Sequence, residues 1–469
     1  MHPSVTLVWF RHDLRLADNP ALSAAAAGAV VPVFIWAPDE EGDWPPGAAA
    51  RWWLYQSLAR LDADLRAHGS RLIVRRGPAL AVLRRLISET GAARIVWNRR
   101  YEPAVVARDT AIQAALRAED AVTVDTFNSA LLFEPWTIAN RSGKPFQVFT
   151  PFWNACRVTM QLDAPLRAPA LPAPQQWPPS LALADLGLEP AIDWAAGLRA
   201  AWQPGETGAT EQLGRFLDHA AAHYADDRNR PDRRGTSRLS PHLHFGELGP
   251  RQIWHAVQTA ATLDPQRGAL GAADAYLRQL GWREFAHHLL FHFPRTVEAP
   301  LRPEFARFPW RDDPDVLRAW QRGRTGYPII DAGMRELWHT GWMHNRVRML
   351  VGSFLVKDLL LPWQAGARWF WDTLVDADLA NNTLGWQWVA GCGADAAPYF
   401  RVFNPVTQGE RFDPEGHYVR RWVPALQHVS TPWVHQPWRA PGDEQPQPIV
   451  DHAVARQRAL AAFARVKRA

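Results

Sequence analysis

Lysine is almost missing from this chain: it occurs only as Lys144, Lys357 and Lys467, so arginine supplies nearly all of the 52 basic residues. The planar guanidinium fork suits phosphate oxygens bidentately, although a coding bias towards Arg and Ala accounts for most of the skew. Cysteine is as sparse. Cys156 and Cys392 are too few for a disulfide framework or a cysteine-based metal site, so iron–sulfur and zinc chemistry have little support. No apolar run approaches the roughly 20 residues that span a bilayer. The start, MHPSVTLVWFRHDLRL, has no small-residue cleavage site, and its apolar stretch breaks at Arg11, His12 and Asp13. A cytoplasmic protein with no membrane partner is expected. No G-x-G-x-x-G follows the first predicted strand, and neither a Walker loop nor a G-x-S-x-G elbow occurs. The approximate match GCGADA (Gly391–Ala396) follows no predicted strand. His288 and His292 stand at helical spacing without the Glu of the zinc-protease signature, so they read as core or surface histidines.

What is present is a long, mildly basic chain rich in indole. Its 469 residues suggest two or three domains. A net charge of +5 favours a polyanionic partner. Of the 25 tryptophans, most serve packing, while stacking or electron transfer are open readings for a few.

Three regions follow along the chain. Residues 1–128 alternate β-rich runs (Thr6–Phe10, Val30–Trp36, Arg71–Arg76, Arg94–Trp97, Val122–Phe127) with helical ones closed by Gly69 and Gly91. That alternation predicts a doubly wound parallel α/β sheet. Residues 129–205 are Pro-rich and read as a surface connector, partly extended. Residues 206–469 are all-helical. In the run GWMHNRVRMLVGSFLVKDLL, Met343, Val347, Leu350, Val351 and Phe354 form an apolar stripe. A second face carries Asn345, Arg348, Met349 and Gly352, and the glycine suggests close approach of a ligand.

Two polar clusters stand out in the helical half. RNRPDRRGTSRLSPH (Arg228–His242) combines arginines with short hydroxyls before a proline, which reads as a phosphate cradle or a solvated loop with a cap. DADLANN (Asp376–Asn382) places carboxylates in an aromatic segment, where they need partners such as a ribose, an amino-pyrimidine edge or an arginine.

In order, VWFRHDLRLADNPAL, GTSRLSPHLHFGELGPR, WREF, TGYPIIDAGMRELWHTGWMHNRVRMLVGSFLVKDLLLPW, DADLANNTLGWQW and DAAPYFRVFNPVTQGERFDPEGHYVRRW resemble the photolyase and cryptochrome family over nearly the whole chain. RWWLYQSLARLDADLRAHGSRLIVRRG and LGWREFAHHLLFHFP are most similar to its class III branch, bacterial cyclobutane-dimer enzymes related to plant cryptochromes. The resemblance implies an α/β antenna domain and a helical domain holding FAD. It also implies light-driven electron transfer that splits cyclobutane pyrimidine dimers in UV-damaged DNA, by a monomer.

By motif, Tyr224, Thr236, Ser237, Arg238, Leu239 and Ser240 are implied to hold the flavin diphosphate, and Arg283 joins the cofactor set. Asp376 and Asp378 are implied to meet the ribityl and isoalloxazine edges, with Arg348 paired to Asp376 and Asn382 facing flavin N5. Trp282 and Trp388 match the indoles that grip a flipped lesion, and Asn345 and Met349 match other pocket positions. Arg228, Arg346, Arg401 and Gln408 match DNA-backbone contacts, and Trp386, Trp363 and Trp310 match the tryptophan triad that reduces the flavin.

The chain departs from the pattern at Gln279, where dimer photolyases carry glutamate. Photolyases of (6-4) lesions and animal cryptochromes have glutamine there, together with paired pocket histidines where this chain reads His344, Asn345, Arg346. Three readings follow: a dimer photolyase with weakened repair, a photoreceptor without repair, and a (6-4) photolyase. For the antenna, class III relatives imply methenyltetrahydrofolate. Here, however, Tyr101-Glu102 is followed by Pro103, Ala104 and Val105 instead of an Asn-Glu pair, which keeps a deazaflavin as the alternative.

Overall fold

The computed structural model describes residues 4–118, 120, 122–263, 269–396, 400–441 and 447–468. Strands β1 (Val5–Phe10), β2 (Ala29–Trp36), β3 (Ile73–Arg76), β4 (Arg94–Asn98) and β5 (Thr123–Phe127) form one parallel sheet in the order β3-β2-β1-β4-β5. Helices α1 (Pro20–Ala25), α2 (Ala48–Ala67), α3 (Ala79–Thr90) and α4 (Pro103–Ala118) make the crossovers. The inner strands β1 and β2 read as nearly unbroken apolar runs because both faces are covered. Val8, Phe10, Val30, Phe34 and Val96 point to the layer that contains α2, and Leu7, Trp9, Val31, Val33 and Ile95 to the layer of α3 and α4. Every expected strand is present. β3 begins later than Arg71 because the Leu72 N–H donates to the Asp62 carboxylate instead of to a ladder.

The Pro-rich connector holds a helix, α5 (Phe149–Thr159), that the composition did not suggest. Its Phe149, Phe152 and Trp153 are buried against α6 (Ala269–His292). The helical half then supplies α7 (Pro328–Thr340), α8 (Asn345–Ser353), α9 (Trp363–Thr373), α10 (Leu379–Ala390), α11 (Pro405–Phe412) and α12 (His452–Arg468). A π-helical turn, Phe354–Asp358, continues α8. The apolar stripe of α8 is buried as expected, but Met343 precedes the helix, which His344 caps. Gly352 does not open onto a ligand space. A Cβ there would lie 3.2 Å from Val389 and 3.6 Å from Trp386, so the glycine admits α10.

Buried polar contacts join the two halves. The Glu247 carboxylate accepts from Trp53 Nε1 (2.9 Å) and the Gly205 N–H (2.8 Å), and His242 Nδ1 lies 2.5 Å from it. Glu206 accepts the N–H groups of Leu16 and Ala17. No helix among the described residues is long and apolar enough to cross a membrane.

Candidate active site

Helix α6 presents Gln279, Trp282 and Arg283 on one face, because positions three and four apart align on a helix. The Trp282 ring stacks on Phe149 of α5, centroids 3.8 Å apart and planes 7° from parallel. Gly281 allows this packing, since a Cβ there would lie 2.6 Å from the Trp153 ring. Gln279 donates from Nε2 to the Ala275 carbonyl (3.0 Å), and its Oε1 faces Arg228 at 3.4 Å. The Arg228 guanidinium lies 5.6 Å from the centroid of buried Tyr224, which packs on Phe216 and Tyr276. Arg283 donates to the Ala130 carbonyl at 2.5 Å.

The carboxylates of the DADLANN run have partners. Arg348 donates to both oxygens of Asp376 (3.1 and 2.8 Å) and from Nε to the Met343 carbonyl (2.8 Å). Asp378 caps α10, accepting from the N–H (2.8 Å) and Nδ2 (2.6 Å) of Asn381. Its other oxygen lies 3.5 Å from His287 Nε2 and 3.9 Å from His244 Nδ1. Burial opposes ionisation of Asp378, but His287, His244 and Arg283 hold its carboxyl well below the usual range. Sequence reasoning missed both histidines. The signal was there for His287, one turn beyond Arg283 on α6. Asn382 donates to the Ala367 carbonyl (3.0 Å).

In the hydroxyl-rich segment, Thr236, Ser237 and Arg238 are half-buried, Leu239 is buried and Ser240 is exposed. Arg238 adopts φ +54, in the left-handed region, and its guanidinium lies 4.4 Å from the Trp202 ring and 4.9 Å from the Trp342 ring. Its buried Nε has no hydrogen-bond partner. Trp342 Nε1 donates to Ser240 Oγ (3.3 Å).

Of the triad positions, Trp386 and Trp363 are buried and Trp310 is half-buried. The Trp386 ring rests on Gly366 of α9, where a Cβ would lie 2.1 Å away, and Trp363 stands one turn earlier on that helix. The Arg311 N–H donates to the Leu360 carbonyl (2.7 Å), which holds Trp310 beside the entry to α9. Trp388 is half-buried on α10.

A basic cavity of about 440 Å³ is lined by Arg346, Arg401, Arg411, Gln408, Phe403, Phe412 and Asn229. Arg346 donates to Asn229 (2.8 Å) and lies 4.4 Å from the Phe412 ring. Burial and the neighbouring Arg228, Arg411 and Arg401 push the Arg346 guanidinium below its ordinary range, a crowding of like charge that an anion would relieve. Arg411 was not singled out from the sequence, yet its spacing of three from Gln408 on α11 was readable. Beside the cavity, α8 begins at exposed Asn345, and half-buried Met349 follows one turn later. Burial, with Arg346 and Arg348 nearby, pushes His344 down to about 3, so its imidazole is neutral.

In the α/β half, the strand order reverses between β1 and β4, where such folds place nucleotide ligands. That crevice is filled: Arg11 is buried against Asp109 and the Asn98 carbonyl, and Trp9 lies within about 5 Å of both the Arg11 and Arg108 guanidinium carbons. Nearby, Glu102 pairs with Arg100 (2.9 Å), which also binds Glu41 (2.8 Å). Burial resists ionisation of Glu102, but Arg100 holds it down to about 2.

The profile described as the FAD binding domain of DNA photolyase matches residues 276–465, and that of DNA photolyase matches residues 6–175. A deoxyribodipyrimidine photo-lyase of Agrobacterium fabrum is 48% identical over 477 residues, covering 98% of each chain. The chain belongs to the DNA photolyase family. Among the family's relatives, Cryptochrome-2 of Arabidopsis thaliana is 41% identical, covering 99% of this chain and 79% of that one. The crystal structure of a bacterial class III photolyase from Agrobacterium tumefaciens superposes with a TM-score of 0.95 at 47% identity, covering 100% of this chain and 99% of that one.

The residues of this photolyase-family site fit a flavin dinucleotide. Arg238 keeps a buried donor without a partner, suited to a diphosphate oxygen. Asp378 stays ionised while accepting donors, which suits the N–H edge of an isoalloxazine ring.

Proposed function

We propose that this protein is a blue-light-driven deoxyribodipyrimidine photo-lyase that uses FAD to split cyclobutane pyrimidine dimers in UV-damaged DNA. One observation carries the reading: Arg228 faces Gln279 and its neighbour Asn229 accepts from Arg346, so a short polar bridge joins the Gln279–Trp282 face of α6 to the basic cavity. Phosphates flanking an extruded lesion would occupy the cavity while the dimer stacks on Trp282, each stacked base contributing about 1–3 kcal/mol. When bound, reduced FAD supplies the electron that opens the cyclobutane ring and takes it back. Asp376, held by Arg348, and Asp378 would hold the flavin edges, and the Asn382 amide could donate to or accept from N5 according to its protonation. Thr236, Ser237, Arg238, Leu239 and Ser240, with Tyr224 and Arg283, frame the rest of the cofactor.

Gln279 offers a pyrimidine carbonyl a neutral hydrogen bond in place of a carboxyl group, and repair is slower by up to about a hundredfold, by analogy with other anion-stabilising donors. Chemistry on (6-4) lesions needs a proton donor, and neutral His344 is not one at physiological pH. A photoreceptor without repair is the second reading, favoured by Gln279 and the plant cryptochrome relative. Blue light on the protein with chemically reduced flavin and a dimer-containing oligonucleotide separates them. Dimers should disappear, faster with Gln279→Glu; dimers that persist in both proteins would leave the photoreceptor reading. For the antenna we favour methenyltetrahydrofolate on the class III resemblance, with a deazaflavin as the alternative; Arg11 and Trp9 fill the crevice where strand order reverses, so either pigment would bind elsewhere. Glu102, already committed to Arg100, is not its anchor. Absorbance and mass of the pigment released by denaturation test this.

A further inference from the structure

We propose that Lys357 is a positioning residue for DNA binding, which holds the backbone from Phe400 to Phe403 so that Arg401 and Phe403 line the basic cavity. Its Nζ donates to the Arg401 carbonyl at 2.6 Å and lies 4.1 Å from the Phe400 ring centroid. The side chain is 4% exposed. Four residues earlier, Ser353 Oγ faces the Phe403 N–H at 3.5 Å, so one helical unit holds this segment at two points. The segment runs straight into α11, where Asn404 caps the helix through the N–H groups of Val406 (2.9 Å) and Thr407 (3.4 Å). Helix α11 carries Gln408, Arg411 and Phe412 into the same cavity. The N-terminal turn of α8 supplies Arg346 from the other side. The unit is itself fixed: Asp358 Oδ1 lies 2.5 Å from His452 Nδ1, and the Asp358 carbonyl accepts from Arg458 at 2.5 Å. The π-helical turn between Ser353 and Lys357 is an irregularity of a kind found at functional positions.

The choice of amino acid supports the assignment. In a chain that replaces lysine by arginine almost everywhere, a buried lysine survives here. An arginine would bring five N–H donors into a space where one carbonyl is to be met, whereas an ammonium on a flexible stem meets one point. Packing alone would be served better by methionine, because burial penalises the charge and pushes Lys357 down to about 7. A donor retained at that cost has a directional task, and the group it directs is the backbone of Arg401.

The inference rests on the reading that the cavity contacts DNA phosphates. The test is a double-mutant cycle on the FAD-loaded protein, with Kd for a dimer-containing duplex measured across a salt series. Lys357→Met should weaken binding about tenfold and lower the salt slope by about one. In an Arg401→Ala background it should weaken binding no further. Unchanged binding by Lys357→Met, or a loss that adds in full to that of Arg401→Ala, would overturn the assignment. If Arg401→Ala itself binds as tightly as the parent, the DNA reading of the cavity fails instead. Should Lys357→Met not accumulate as folded, FAD-containing protein, Ser353→Ala enters the same cycle: dependence on Arg401 supports the proposal, and full additivity refutes it.

Discussion

Arg228 faces the amide oxygen of Gln279 at 3.4 Å, while the Gln279 amide nitrogen donates to the Ala275 carbonyl at 3.0 Å. A cation proposed to meet DNA is thus in contact with Gln279, which departs from the dimer-photolyase pattern. Arg228→Ala is expected to weaken binding of damaged DNA about tenfold and to lower the salt slope by about one. Because Gln279 also loses a partner, the repair rate of bound lesion should change in the same variant. Filter binding across a salt series, paired with single-turnover repair, separates the two effects.

Gly366→Ala tests the seat of Trp386. The added methyl would lie 2.1 Å from the indole, so either the core strains or the ring moves. Overpacking of this kind costs about 1–3 kcal/mol. Urea denaturation should show the lower midpoint, and light-driven reduction of oxidised flavin should slow, while repair by chemically reduced flavin persists.

Asp378→Asn separates charge from capping. Asparagine caps helices about as well as aspartate, so the α10 cap should persist, while loss of the charge that His287, His244 and Arg283 favour should lower stability at neutral pH. The charge facing His287 and His244 is lost, and hydrogen bonds to charged groups are the stronger kind. FAD should be retained about tenfold less tightly, read by fluorescence of flavin released on dilution.

Lys357 gives stability a pH signature. Burial lowers its folded pKa to about 7 from the usual 10.5. Below that window both states carry the proton. Within it the unfolded chain binds more protons than the folded one, so this group makes stability rise with pH. Lys357→Met removes the rise. Measured by urea denaturation, the variant should compare best with the parent near pH 6.5 and lose ground by pH 9.5.

The sheet was legible because a parallel strand covered on both faces must be apolar along its whole length, as Val30–Trp36 is. The pairing of Arg348 with Asp376 was implied by the family resemblance, whereas the aromatic run by itself said only that its carboxylates need partners. Helix α5 was not legible: a short helix in a Pro-rich connector owes its stability to burial against α6 and not to its own composition. Gly352 was misjudged for the same reason, because whether an open spot on a helix admits a ligand or another helix depends on what packs there.

The sequence by itself determined the two-part architecture, the identity of the polar and aromatic groups, and the substitution at Gln279. These are local properties of pattern and residue chemistry. Only the tertiary structure decided that Phe149 backs Trp282, that Arg228 faces Gln279, that His287 and His244 flank Asp378, and that a buried lysine holds the Arg401 backbone. Each of these pairs residues far apart in the chain, or turns on one hydrogen bond whose partner is set by packing, and no periodicity records that.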